Sequence, residues 1–285
     1  MKVYCFGEKE KPVIFLFPGT CCHWKGNFGK VIEPLEEYFR VACVSYDGFD
    51  ETEQTEFPTM TEETEKIEQY IKKEFGGHIC AAYGCSLGGS FVGLLAARGN
   101  IHMEYGILGG SDLDQSGKFL AKLMTKLMMP VFYPFIANGE MKIPFMKKKM
   151  DKMLAEENGY IRAFMDMIKT PDVDMSHITK RSVENQFYSD LITPLPDQID
   201  PSGTQIPILR AYKICICVHI LYALKMGEKY RARYKKHFAG PILHELDLQH
   251  EELLAVYPDD WVKVIAEICN RKQGDCAARF KIKGS

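Results

Sequence analysis

A mostly parallel β-sheet covered by helices on both faces, interrupted by a long helical insertion, is the fold class that the sequence predicts. Three observations carry it. Short apolar runs of strand length alternate with longer amphipathic stretches, the pattern of successive β–α units. One junction, Gly84-Cys85-Ser86-Leu87-Gly88-Gly89, is short and glycine-rich enough to be a sharp strand-to-helix turn. From about Asp114 to Thr204 the strand pattern stops, Pro recurs at 130, 134, 144, 171, 194, 196 and 201, and ten of the fourteen Met gather. A loop that long without structure of its own is uncommon in a compact domain, so the stretch reads as inserted helices.

Each element follows in order. Val13 to Phe17 is a buried strand ending at Pro18-Gly19-Thr20-Cys21-Cys22-His23-Trp24, and Val31 to Phe39 has helical periodicity with Pro34 in its first turn. Val41 to Tyr46 is a second strand. Pro58 to Phe75 is an amphipathic helix, with Ile67, Ile71 and Phe75 repeating every four residues among Glu and Lys. Ile79 to Tyr83 is a strand and Phe91 to Ala97 a buried helix. Tyr105 to Leu108 is a strand ending at Gly109-Gly110-Ser111-Asp112-Leu113-Asp114. After the insertion the core resumes near Ile206, with a strand over Cys215 to Leu224, a helix over Tyr230 to Phe238 and a last strand over Ile242 to Leu246. Trp261 to Cys269 closes the chain as an amphipathic helix behind Pro258. The expected division is therefore a core over 1–113, a cap over 114–205 and the rest of the core over 206–285.

The chemistry centres on the glycine-rich turn. A Cβ at Gly84 or Gly88 would collide with the opposite limb, and Ser86 stands at the tip, its hydroxyl clear of the strand end. The backbone N–H of Leu87, at the helix N-terminus, points toward a developing oxyanion. Cys85 sits one place off the tip, where its thiol turns into the fold. With Gly84-Cys85-Ser86-Leu87-Gly88 as a nucleophile elbow, the chain resembles the α/β-hydrolase superfamily. That resemblance implies an α/β-hydrolase fold with a helical lid, and a second oxyanion donor at the N–H of Thr20 or Cys21. Pro18 stands where the superfamily usually has His, and Gly19 is kept.

A serine nucleophile needs a base, and imidazole suits the task near neutral pH. Of eight His, His250 falls just after the last strand and before the Pro-started terminal helix. The run from His250-Glu251-Glu252-Leu253-Leu254 to Trp261 resembles the superfamily's histidine loop. The resemblance places an acid after the penultimate strand, where the Gly227 match puts Tyr230 in the acid's position. Glu228 is the favoured alternative, with Asp112 or Asp114 as the acid if it lies one strand earlier. His23 reads as a loop residue, and His237 and His244 as structural.

Composition narrows the rest. A net charge of −2 over 285 residues gives no general reason to expect nucleic acid as a partner. Met1 to Lys11 lacks a signal peptide's apolar segment, and the densest apolar run, Ile214 to Leu224, is short of a membrane span and broken by His219. A cytoplasmic protein without a membrane span is expected. The ten Cys lie largely in apolar runs and read as reduced thiols. Neither Cys-x-x-Cys nor His-x-x-x-His occurs, so no metal and no cofactor is expected. Lys118 to Lys152 holds eight Lys against Glu140 and Asp151, either a solvated lid face or a preference for an anionic substrate or membrane surface. In Lys118 to Met128 the lysines share one face and large apolar residues fill the other. The function expected is hydrolysis of a small ester with an apolar acyl or ring part. Thioester hydrolysis, acyl transfer, carbon–carbon cleavage or ligand binding by an idle triad stand as alternatives.

Overall fold

The computed structural model describes residues 1–139, 143–155, 159–170, 173–200, 217–223 and 226–270. Its centre is a seven-stranded sheet in the order β1-β3-β2-β4-β5-β6-β7. The strands are β1 (Lys2–Phe6), β2 (Val13–Phe17), β3 (Arg40–Ser45), β4 (His78–Cys85), β5 (His102–Gly109), β6 (Cys217–Ala223) and β7 (Ile242–Leu246). All neighbours run parallel except β1, which pairs antiparallel with β3 at the edge. Parallel strands buried on both faces need apolar side chains at successive positions, which is why β2 reads Val-Ile-Phe-Leu-Phe. Phe15 and Phe17 enter the core beneath α3 (Met60–Phe75) and α4 (Leu87–Arg98). Ile14 and Leu16 enter the opposite core, with α1 (Trp24–Phe28), α2 (Ile32–Leu35) and α11 (Pro258–Asn270).

The strand order reverses direction between β2 and β4. The connections leaving their carboxyl ends therefore run to opposite sides, which is the place where open α/β sheets bind ligands. Between β5 and β6 come α5 (Lys118–Asn138), α6 (Pro144–Ala155), α7 (Gly159–Lys169) and α8 (Lys180–Ile192). Helix α9 (Glu228–His237) joins β6 to β7, and α10 (Glu252–Val256) precedes α11.

Several expectations shift. The helix expected over 31–39 shrinks to Ile32–Leu35, although Pro34 does fall in its first turn. β1 escapes the sequence because an edge strand with a half-exposed face mixes Lys and Tyr with Val. The strand expected over 215–224 is seen as Cys217–Ala223, its flanks lying outside the described residues, as do Ile206 and Cys276. The largest difference is in α5. The sequence divides it into a lysine face and an apolar face, yet Ala121, Thr125 and Met129 are the residues buried while Phe119, Leu120 and Leu127 stand in solvent. By length and composition α5 could cross a membrane, although 33% of its most apolar stretch is buried against the fold.

Candidate active site

Ser86 lies between β4 and α4 with φ 49° and ψ −113°, outside the regions L-residues favour. Such a backbone costs about 1–3 kcal/mol and persists where neighbours over-determine it. They do. The Ser86 N–H is shared between the Gly109 carbonyl at 2.8 Å and the Glu251 carboxylate at 2.9 Å. The Ser86 carbonyl accepts from Gly89 N–H at 2.9 Å and from the Ser111 hydroxyl. A Cβ on Gly84 would meet the Gly88–Gly89 backbone, as the turn requires. One on Gly88 would instead strike the Phe17 carbonyl, so that glycine serves close packing of the turn on β2. Cys85 is buried beside the tip. Burial, then the nearby Glu251 carboxylate, push its thiol well above the usual range, which disfavours a thiolate there.

The loop after β2 faces this tip. The Gly19 N–H donates to Asn27 Oδ1 at 2.8 Å, and the Asn27 amide donates to the Met167 carbonyl on α7 at 3.2 Å. The Cys21 N–H donates to Gln186 Oε1 on α8 at 2.6 Å, so of the two expected donors Cys21 is already engaged. Thr20 N–H and Leu87 N–H have no hydrogen-bond partner among the described residues. His23 caps α1 through Nδ1 and meets Glu51 through Nε2 at 2.8 Å. Burial lowers its pKa, with the Glu51 hydrogen bond opposing, so it is a structural residue.

His250 follows β7 and reaches the end of β5. A Cβ added to Gly110 would lie 2.8 Å from His250 Nδ1 and 3.0 Å from Glu251 Oε1, so ring and carboxylate sit together over a glycine that leaves them room. The ring also meets Phe164 of α7 edge-on, with centroids 6.1 Å apart, and Tyr160 of α7 donates to the His250 carbonyl at 2.9 Å. Burial, then the Glu252 and Glu251 carboxylates, push the Tyr160 hydroxyl up to about 12. Ser86 Oγ and the His250 ring make no hydrogen bond among the described residues. Catalytic bonds are often long before substrate binds.

The carboxylates are placed less as expected. Glu228 begins α9 after Gly227 (φ 81°), and its side chain, 86% exposed, pairs with Arg231 at 3.4 Å rather than reaching His250. The Asp112 carboxylate accepts its own turn's Asp114 N–H at 3.1 Å, and Asp114 pairs with Arg233. Glu251 is the acid that reaches the elbow. Held at φ 54°, it is 8% exposed and takes the Tyr83 hydroxyl at 2.9 Å as well as the Ser86 N–H. The sequence offered one signal for it: Tyr83 in an otherwise apolar buried strand needs an acceptor for its hydroxyl. Gln186 and Asn27 gave no comparable signal, because their partners are backbone groups distant in sequence.

A second acid cluster lies below. Asp190 of α8 lines a small cavity with Ser90, Leu113 and Asp114. Burial, then the Asp112 charge, raise its pKa to about 7 against a hydrogen bond from Ser90. At the other end of the sheet His78, His102 and Glu104 bring ligand atoms within 4.8 Å of one another. The stacked His78–His102 rings and the 3.4 Å His78–Glu104 pair already account for this cluster.

No family model matches the sequence, and no curated protein does. Solved structures do match. An α/β-hydrolase family protein from Desulfitobacterium hafniense superposes with a TM-score of 0.72 at 19% identity, covering 94% of this chain and all of that one. The enol-lactonase from Burkholderia xenovorans LB400 gives 0.63 at 16%, over 95% and 96% of the two chains. A thermophilic esterase from Thermogutta terrifontis gives 0.61 at 14%, over 93% and 91%. At these identities the likeness is one of fold.

Proposed function

Starting from a chain with the α/β-hydrolase fold, we propose that it is a serine hydrolase cleaving a small carboxylic ester through an acyl-enzyme on Ser86. One observation carries the reading: Ser86 is held in a strained backbone at a strand–helix tip, beside the unengaged N–H groups of Leu87 and Thr20. Strain of this kind has no packing benefit and is expected where a side chain must be presented. In this reading Ser86 Oγ attacks the ester carbonyl while His250 takes its proton, and the two N–H groups hold the oxyanion. His250 then protonates the departing alkoxide. Water attacks the acyl-enzyme, gives its proton to His250, and the carboxylic acid leaves as Ser86 regains its hydrogen. Glu251 supports the elbow from beneath and is the carboxylate best placed to orient His250.

The missing hydrogen bond to the His250 ring favours a second reading, a ligand-binding protein with an idle site. A fluorophosphonate probe separates them. The hydrolase reading expects stoichiometric labelling, with a mass shift on the peptide carrying Ser86, and none in Ser86→Ala. That variant should also lose ester turnover by several orders of magnitude. An unlabelled wild-type protein would leave the idle site as the better description.

A further inference from the structure

Over its first three turns helix α5 buries one side chain in four and leaves its large apolar neighbours exposed. Ala121, Thr125 and Met129 face inward at intervals of four, whereas Phe119 (85% exposed), Leu120, Leu123, Met124, Leu127 (68%) and Met128 face outward. Phe145, on α6, is 76% exposed. Scattered apolar residues on a surface need no explanation, but six on one helix face form a continuous patch of the kind that marks a binding surface.

Charge decides what covers it. Helix α5 carries Lys118, Lys122 and Lys126 and no acidic residue, and Lys147 and Lys148 are exposed close behind Phe145. An open crevice of about 610 Å³ between α5 and α8 is lined by Lys122, Lys126 and Lys180. Its single carboxylate, Glu184, is paired with Lys180 at 3.3 Å. A second copy, with no carboxylate on α5, would use the apolar face alone and leave the lysines on the other face without a counter-charge. The chain's own 271–285 carries five basic residues and one acid, so it too offers the lysines no counter-charge.

We propose that α5 docks flat on an anionic phospholipid bilayer, its large apolar side chains entering the acyl boundary and its lysines reaching the phosphates. Crossing the bilayer is the less suitable mode. Lys122 and Lys126 would have to leave the surface, and the buried Ala121, Thr125 and Met129 would have to part from the fold. The inference does not depend on Ser86 being a nucleophile.

Vesicle co-sedimentation of the full chain tests it. Binding to phosphatidylcholine vesicles containing about 30 mol% phosphatidylserine should exceed binding to phosphatidylcholine alone by at least about tenfold, and should weaken as salt is raised. Phe119→Ser with Leu127→Ser should lower that binding by about tenfold or more, each side chain losing several buried methylenes. Lys122→Gln with Lys126→Gln should remove most of the preference for anionic vesicles. The altered side chains being exposed, both double variants should keep the wild-type circular dichroism and turnover of a soluble ester. Equal binding to both vesicle types, or none, would overturn the proposal. So would a dimer in sedimentation velocity that Phe119→Ser with Leu127→Ser dissociates, which would give the face to a second copy.

Discussion

At the residue scale, Glu251 and Glu228 make opposite demands on the structure. Glu251 holds the Ser86 N–H and the Tyr83 hydroxyl from a buried position, whereas Glu228 meets Arg231 in solvent. Glu251→Ala leaves the Tyr83 hydroxyl without its acceptor, which costs about 1–3 kcal/mol. Its melting temperature should therefore fall by several degrees and kcat by tenfold or more as the elbow relaxes. Glu228→Gln should change neither, since an exposed ion pair contributes little. Melting curves and ester kinetics on the two variants check this, and a crippled Glu228→Gln beside a normal Glu251→Ala would return the orienting role to Glu228. The sequence could place Ser86 at the tip of a strand-to-helix turn because the glycines around it are fixed by local backbone geometry. Glu251 is identified through contacts with Ser86 and Tyr83 that are 165 and 168 residues distant, so local pattern offered no more than its place next to His250.

At the scale of elements, the inserted helices divide by how they are tied down. Helix α8 is fastened to the core through Ser182, Asn185, Gln186 and Ser189, whose side chains bond backbone groups of Phe57, Cys21 and Met60. Helix α7 instead lies against the His250 loop through Tyr160 and Phe164. Tyr160→Phe removes one hydrogen bond, worth about 1 kcal/mol, and should lower kcat several-fold while leaving KM nearly unchanged. An unaltered kcat would mean that the loop holds its shape without α7. On α5, Met124 and Met128 point to solvent. Met124→Ser with Met128→Ser should therefore leave the ratio of kcat/KM for octanoate over acetate esters as it is in the wild type. That helices fill 118–192 was legible from periodicity and proline spacing. Which face of α5 turns inward was not, because the stripe of Ala121, Thr125 and Met129 that is buried is set by where α8 packs and is less apolar than the face left exposed.

At the scale of the whole molecule, a buried acid, Glu63, and a half-buried one, Asp190, set how stability varies with pH. Burial lifts Glu63 and Asp190 to about 7, against the Asp47 N–H bond in one case and, in the other, the Ser90 bond. Both hold protons in the folded state that the unfolded chain releases near pH 4, so stability falls as pH rises through about 4 to 7. His23 and His102, lowered by burial, act in the opposite sense, with stability lost as pH falls below about 6.5. The carboxyl shifts are the larger and decide the sign. Despite burial that pushes them up, hydrogen bonds hold Asp47, Asp50 and Glu51 low, and that stability disappears on further acidification. The melting temperature should accordingly be higher at pH 5 than at pH 8, and Glu63→Gln with Asp190→Asn should shrink the difference. A melting temperature that climbs from pH 5 to 8 would contradict the assignment. The sheet itself was readable because strands buried on both faces must be apolar throughout. Its edge strand and the ties between loops were not, since each depends on a neighbour brought from elsewhere in the chain.

The backbone at Ser86 carries an evolutionary consequence. A glycine would adopt φ 49°, ψ −113° with little strain, so Ser86→Gly should fold more stably than Ser86→Ala, although both lack the hydroxyl. Any descendant of this chain freed from its chemistry would thus find a stabilising substitution one step away, at the same position that chemistry most needs. Selection for a sturdier fold and selection for turnover pull against each other at this one residue.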